Sequence, residues 1–115
     1  MMKSGNIYYA FVNYDRQKKG KFRPVLVWEI NNTKLVFKIT SKYKNKPLEI
    51  QKRYFPIFDW KAIGLPKQSF VDCNGFWKLS HFKESDFEYV TQFSKQTAKS
   101  FEKFVSKNFI HHERK

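Results

Sequence analysis

The sequence predicts a mainly β domain closed by one C-terminal helix, with its short strands forming a small, strongly curved sheet or barrel. Three observations predict it: several short β-rich runs separated by turn residues, a two-residue Asn31-Asn32 link between two matching runs, and helical spacing of apolar residues near the end. The chain has 115 residues, which makes residues 1 to 115 one domain, large enough to bury a core built from its thirteen Phe, six Tyr and three Trp.

Residues 6 to 12, Asn-Ile-Tyr-Tyr-Ala-Phe-Val, read as the first strand. Asn13 to Lys21 is polar and basic and contains Gly20, so a long surface loop is expected there. Residues 22 to 41 form the best-determined piece. Asparagine tolerates positive φ, so Asn31-Asn32 fits a tight hairpin turn flanked by Ile30 and Thr33. That register puts Pro24, Leu26, Trp28 and Ile30 opposite Ile39, Phe37, Leu35 and Thr33 as a core face. On the other face it pairs Glu29 with Lys34 and sets Arg23 across from Thr40, their β-carbons roughly 5 Å apart. A slip of one residue would mix Lys38 into the core set.

Residues 42 to 53 are basic and interrupted by Pro47, which suggests a loop or an irregular edge strand. Tyr54 to Phe58 reads as a strand that Pro56 confines to an edge or bulge. Asp59 is placed to cap a short helical turn over Trp60 to Ile63 that stops at Gly64. Ser69 to Cys73, Trp77 to Phe82 and Phe87 to Phe93 read as three further short strands. Ser94 is a good N-cap, and Ala98, Phe101, Phe104, Val105 and Phe109 recur at helical spacing, giving a helix of about four turns and a tail from His111 to Lys115.

Charge narrows the function. Lys and Arg number 23 against 10 acids, for a net +13. Residues 16 to 53 hold twelve of the basic residues and only Glu29 and Glu49 as acids. A clustered positive field of this kind attracts RNA, DNA or an acidic protein. No run of about 18 apolar residues exists, and Met1-Met2-Lys3-Ser4-Gly5 lacks a secretion signal, so no membrane association and a cytoplasmic location are expected. One cysteine and three histidines make a poor metal-ligand inventory, and neither a metal nor a cofactor is expected.

Arg23 with Thr40-Ser41 brings a guanidinium and two hydroxyls together at the rim of the basic region, a donor set that fits a phosphate. Tyr14 and Tyr43, in basic loops, are candidates for stacking on bases. Cys73 and the three tryptophans read as core, and His81 as a packed or surface histidine.

Gly5-Asn6-Ile7, Arg23-Pro24-Val25-Leu26-Val27, Ile39-Thr40-Ser41-Lys42 and Ser69-Phe70-Val71-Asp72-Cys73, followed by a C-terminal helix, resemble in order the MazF/PemK family of type II toxin–antitoxin toxins. Asp59-Trp60, Gly64-Leu65 and Ser69 strengthen the likeness to PemK-like members. The resemblance implies an SH3-like barrel, a homodimer, an acidic antitoxin partner, and metal-independent cleavage of single-stranded RNA at short sequences. It also implies Arg23, Thr40 and Ser41 as the catalytic set. The 2′-hydroxyl would attack the adjacent phosphate to leave a 2′,3′-cyclic phosphate and a 5′-hydroxyl. Lys19, Lys21 and Lys42 would contact phosphates.

The chain departs from the family at Asn6, where Asp is usual, and at Asn74, where some members carry an aspartate. Asn74 cannot accept a proton near neutral pH, which leaves Asp15, Glu29, Asp72 and His81 as candidate bases by residue type. Two alternatives stand beside this reading, the first because it has the same barrel. One is a gyrase-binding toxin like CcdB, whose determinants would sit on the C-terminal helix, and the other is a noncatalytic RNA-binding module.

Overall fold

A computed structural model describes residues 2–13, 20–108 and 113. Tyr14, Asp15, Lys19, His111 and His112 lie outside the described residues. The strands are β1 (Asn6–Asn13), β2 (Gly20–Ile30), β3 (Thr33–Thr40), β4 (Tyr54–Pro56), β5 (Phe70–Lys78) and β6 (Phe87–Gln92), with helices α1 (Leu48–Gln51) and α2 (Lys95–Asn108). All strand pairs are antiparallel, in the order β4-β5-β3-β2-β1-β6.

The expected barrel is not formed. Strands β4 and β6 are the two edges of one sheet and do not pair with each other. The sheet nevertheless curls: Phe55 of β4 and Phe93, just beyond β6, approach to 6.3 Å between ring centroids. Side chains rather than a ladder fill the gap, because Phe101 of α2 packs edge-on against Phe55 at 5.1 Å and against Phe93 at 5.7 Å. β4 could add little closure, being three residues long and ending in Pro56, which has no N–H to donate.

Apolar residues cover both faces. Ile7, Leu26, Trp28, Leu35, Phe37, Ile39, Val71 and Cys73 pack under α2, with Phe101 at the centre against Trp28 and Phe37. On the reverse side Tyr8, Ala10, Val12, Val25, Val27, Val36 and Trp77 form a second cluster, closed by Met2, Leu79, Phe82 and Phe87. This second core explains the unbroken apolar run Val25-Leu26-Val27-Trp28, which is the mark of a strand buried on both sides.

The Asn31-Asn32 turn forms as the sequence suggested, with φ of 51° and 64°, and the pairs from Val25–Lys38 to Ile30–Thr33 keep the expected register. Glu29 and Lys34 are register partners, but the Lys34 ammonium donates to the Met2 carbonyl oxygen at 2.6 Å. Further along, the chain differs from expectation in four places. Gly20 and Lys21 belong to β2 rather than to a loop. Leu48–Gln51 is a helical turn entered through Pro47, whose fixed φ of −57° suits that entry. Residues 58–64 form turns ended by Gly64 at φ +93°, while the Asp59 carboxylate accepts a hydrogen bond from Thr97 Oγ1 at 2.8 Å and so ties this segment to α2. Finally, the two strands expected at Ser69–Cys73 and Trp77–Phe82 are one bulged strand, β5, followed by a 3-10 turn at Leu79–His81.

The bulge in β5 is large. Lys38 pairs with Asp72 and Val36 with Trp77, so Cys73, Asn74, Gly75 and Phe76 stand where a regular ladder would hold one residue. At the start of α2, the Ser94 hydroxyl accepts from the Thr97 amide at 3.1 Å, the cap the sequence pattern called for. Among the described residues, no helix is long and apolar enough to cross a membrane.

Candidate functional site

Counting in twos from Ile30, which flanks the turn, the residues whose N–H points toward β3 are Ile30, Trp28, Leu26 and then position 24. Position 24 is Pro, which cannot donate. The β2–β3 ladder ends at Val25–Lys38, and beyond it residues 20 to 24 pair only with β1 while Lys38, Ile39 and Thr40 pair with β5. The expected direct pairing of Arg23 with Thr40 is therefore corrected: Arg23 is the ladder partner of Ala10, and Thr40 of Phe70.

The two strands diverge into a fork, and the fork holds a cavity of about 350 Å³. Arg23, Thr40, Ser41, Lys21 and Lys42 all line it, so the structure brings together five of the eight residues singled out from sequence. Arg23 is half-buried, with its Nε withdrawn from solvent, whereas Lys21 and Lys42 are exposed. The Thr40 hydroxyl accepts the Lys42 backbone N–H at 3.1 Å. One lone pair is thus occupied, and the hydroxyl proton is left to donate to an anion.

Tyr43 does not line this cavity. It lines a neighbouring hollow of about 740 Å³ with Lys44, Lys46, Gln68 and Phe70, and the two hollows share Ser41 and Lys42. There Tyr43 lies flat on Phe70, with centroids 4.3 Å apart and planes at 7°. The remaining two sequence candidates, Tyr14 and Lys19, lie outside the described residues.

Sequence reasoning missed Tyr9, Phe22 and Lys67, which also line the fork. Lys67 sits on the Gly64-Leu65-Pro66 turn, a punctuation signal that could have marked the segment as surface. Tyr9 carried no such signal, because apolar residues on both faces of β1 conceal which of them reach water, and Phe22 falls on β2 at even spacing with the core residues Leu26 and Trp28.

Asp15 lies outside the described residues, and the other three candidate bases fall away from the fork. Asp72 is buried, pairs with Lys38 at 3.3 Å, and accepts both the Asn74 backbone N–H at 2.9 Å and its side-chain amide at 2.8 Å. Glu29 lies at the turn end of the hairpin, away from the fork. His81 is exposed, with Nδ1 3.6 Å from Glu113. Among the described residues no group of three or more His, Cys, Asp or Glu is arranged to hold a metal ion. Burial, aided by the Asp72 charge, pushes the Cys73 thiol pKa far up, so Cys73 is an inert core residue.

The described lining of the fork therefore combines a half-buried guanidinium, the hydroxyls of Thr40, Ser41 and Ser69, three lysines and two aromatic rings. Such a set can offer charge and hydrogen-bond donors to an anion and a π-face to a flat group. No family model matches the chain, and no curated protein does either.

Proposed function

We propose that the protein is a metal-independent endoribonuclease acting on single-stranded RNA, the toxin of a type II toxin–antitoxin pair resembling MazF and PemK, working as a homodimer in the cytoplasm. The observation that carries this reading is the convergence of Arg23, Thr40 and Ser41 on one cationic cavity at the β2–β3 fork.

Under this reading the fork seats the scissile phosphate. The Arg23 guanidinium offers parallel N–H donors to two non-bridging oxygens and stabilises the charge that grows on them as the 2′-oxygen attacks. Its half-buried setting, with Nε withdrawn from water, strengthens that interaction relative to an exposed lysine. The Thr40 hydroxyl, held through its oxygen by the Lys42 amide, donates to the phosphate, and Ser41 adds a second hydroxyl donor. In the reaction the 2′-oxygen bonds to phosphorus and the bond to the 5′-oxygen breaks, leaving a 2′,3′-cyclic phosphate and a 5′-hydroxyl. No described residue is assigned the role of proton acceptor. The exposed lysines 21, 42 and 67 supply affinity for the backbone, and an acidic antitoxin segment would find the same complementary surface.

The test is incubation of a long RNA with the protein in EDTA, followed by end mapping. Cleavage is expected at short, recurring sequences, and Arg23→Ala is expected to lose about a hundredfold to a thousandfold in rate while keeping its circular dichroism spectrum. Undiminished cleavage by the folded variant would overturn the assignment. A noncatalytic RNA-binding module is a second reading, favoured by Asn74, whose amide is committed to Asp72 where some family members carry a free acid. Salt-dependent binding without cleavage would decide for it.

A further inference from the structure

We infer that Tyr9 and Phe22 form a platform on which one unpaired nucleobase stacks, next to the phosphate seated at the fork. The inference rests on the RNA reading above and names where that ligand's base goes.

Three aromatic side chains at one end of the β1–β2 ladder are exposed to water: Tyr9 at 43%, Phe11 at 44% and Phe22 at 60%. They are neighbours by register, since Phe11 pairs with Phe22 and Tyr9 with Pro24. Phe11 meets Phe22 edge-on, with centroids 5.3 Å apart and planes at 69°, which restricts how the Phe22 ring can turn. Tyr9 and Phe22 lie nearly parallel, at 14° and 6.0 Å, and so present two similarly oriented π-faces. A buttressed ring of this kind loses little entropy when a flat partner settles on it.

The surroundings choose the partner. Tyr9 and Phe22 share the lining of the fork with Arg23, Lys21, Lys42 and Lys67. An apolar peptide covering these rings would bring no counter-charge to Lys21, Lys42 and Lys67, whereas a nucleotide supplies a π-face and a phosphate together. The other aromatic stack, Tyr43 on Phe70, differs in that its rings already cover one another at 4.3 Å and Phe70 is buried. Phe22 is the most exposed ring beside the fork.

The test compares two fluorescein-labelled probes, an octamer of 2′-O-methyl uridine and an abasic octamer with the same phosphodiester backbone, titrated by anisotropy. Wild type is expected to prefer the base-bearing probe. Phe22→Ala is expected to weaken that probe about tenfold, leaving the abasic affinity and the salt dependence unchanged, and Phe22→Trp is expected to retain the preference. Arg23→Ala is expected to weaken both probes alike. Equal affinity of wild type for the two probes, or no loss in Phe22→Ala, overturns the platform while the RNA reading stands. A change in sedimentation of Phe22→Ala without a change in binding overturns it in favour of self-association. Failure of wild type to bind either probe removes the platform and the RNA reading together.

Discussion

Pro24 stands at the position on β2 that would meet Ile39 on β3, and the ladder between the two strands stops one pair short of it. One missing N–H thereby separates two strands that sequence alone would pair to their ends, and the gap becomes the cavity. Pro24→Ala restores the donor. The expected outcome is slow hydrogen exchange of the new amide at position 24, a stability within about 1 kcal/mol of wild type as the added hydrogen bond offsets the lost rigidity, and, under the proposed function, weaker RNA binding as the fork closes. Exchange measured by NMR checks the first, and anisotropy titration the last.

The Lys38–Asp72 pair lies beside the bulge of β5 with the Asp72 side chain only 5% exposed. Removing one member takes the opposite charge away from a largely buried group, so Asp72→Ala and Lys38→Met are each expected to destabilise by about 3 kcal/mol in urea unfolding. Asp72→Leu combined with Lys38→Met is expected to cost less than the sum of the single changes, a coupling that a double-mutant cycle measures directly.

Phe101 has no exposed surface and touches rings from β2, β3 and β4. Phe101→Ala is expected to cost about 3 to 5 kcal/mol, and Phe101→Leu much less, by chemical denaturation. A loss below about 1 kcal/mol for the alanine variant would show that α2 is not what seals the sheet.

Cys73 makes a prediction about pH. Its folded thiol titrates well above the ordinary value of 9.0, because burial disfavours the thiolate and Asp72 adds to the effect. Below that value both folded and unfolded chains hold the proton and stability is unaffected. Above it only the unfolded chain releases the proton, so stability falls by about 1 kcal/mol per pH unit. Cys73→Ala is expected to lack this alkaline contribution in urea titrations at pH 8 and 10, and the native thiol is expected to resist alkylation until the chain unfolds.

What the sequence disclosed followed local chemistry. The Asn31-Asn32 turn, the register behind it and the Ser94 cap were legible because each rests on residues a few positions apart. The open sheet was not legible, because closure depends on whether Tyr54–Pro56 reaches Phe87–Gln92 across the whole fold, and Phe101 takes that space instead. Cys73 to Phe76 concealed the continuity of β5, since a long bulge and a chain break look alike in sequence. At the candidate site, Arg23, Thr40 and Ser41 were legible by residue type, but the role of Pro24 emerges only when N–H directions are counted along the ladder. Tyr9 was hidden by a second core, which makes β1 apolar on both sides, and Phe22 by its even spacing on β2 with Leu26 and Trp28.

The place of α2 in chain order bears on how the protein is made. Every strand precedes the helix that covers them, so a growing chain displays Trp28, Phe37, Phe55 and Phe93 to water until residues 95–108 have left the ribosome. Such an intermediate is open to chaperones and proteases throughout synthesis. The aromatic core, and with it the geometry of the fork, is completed only after α2 has been translated.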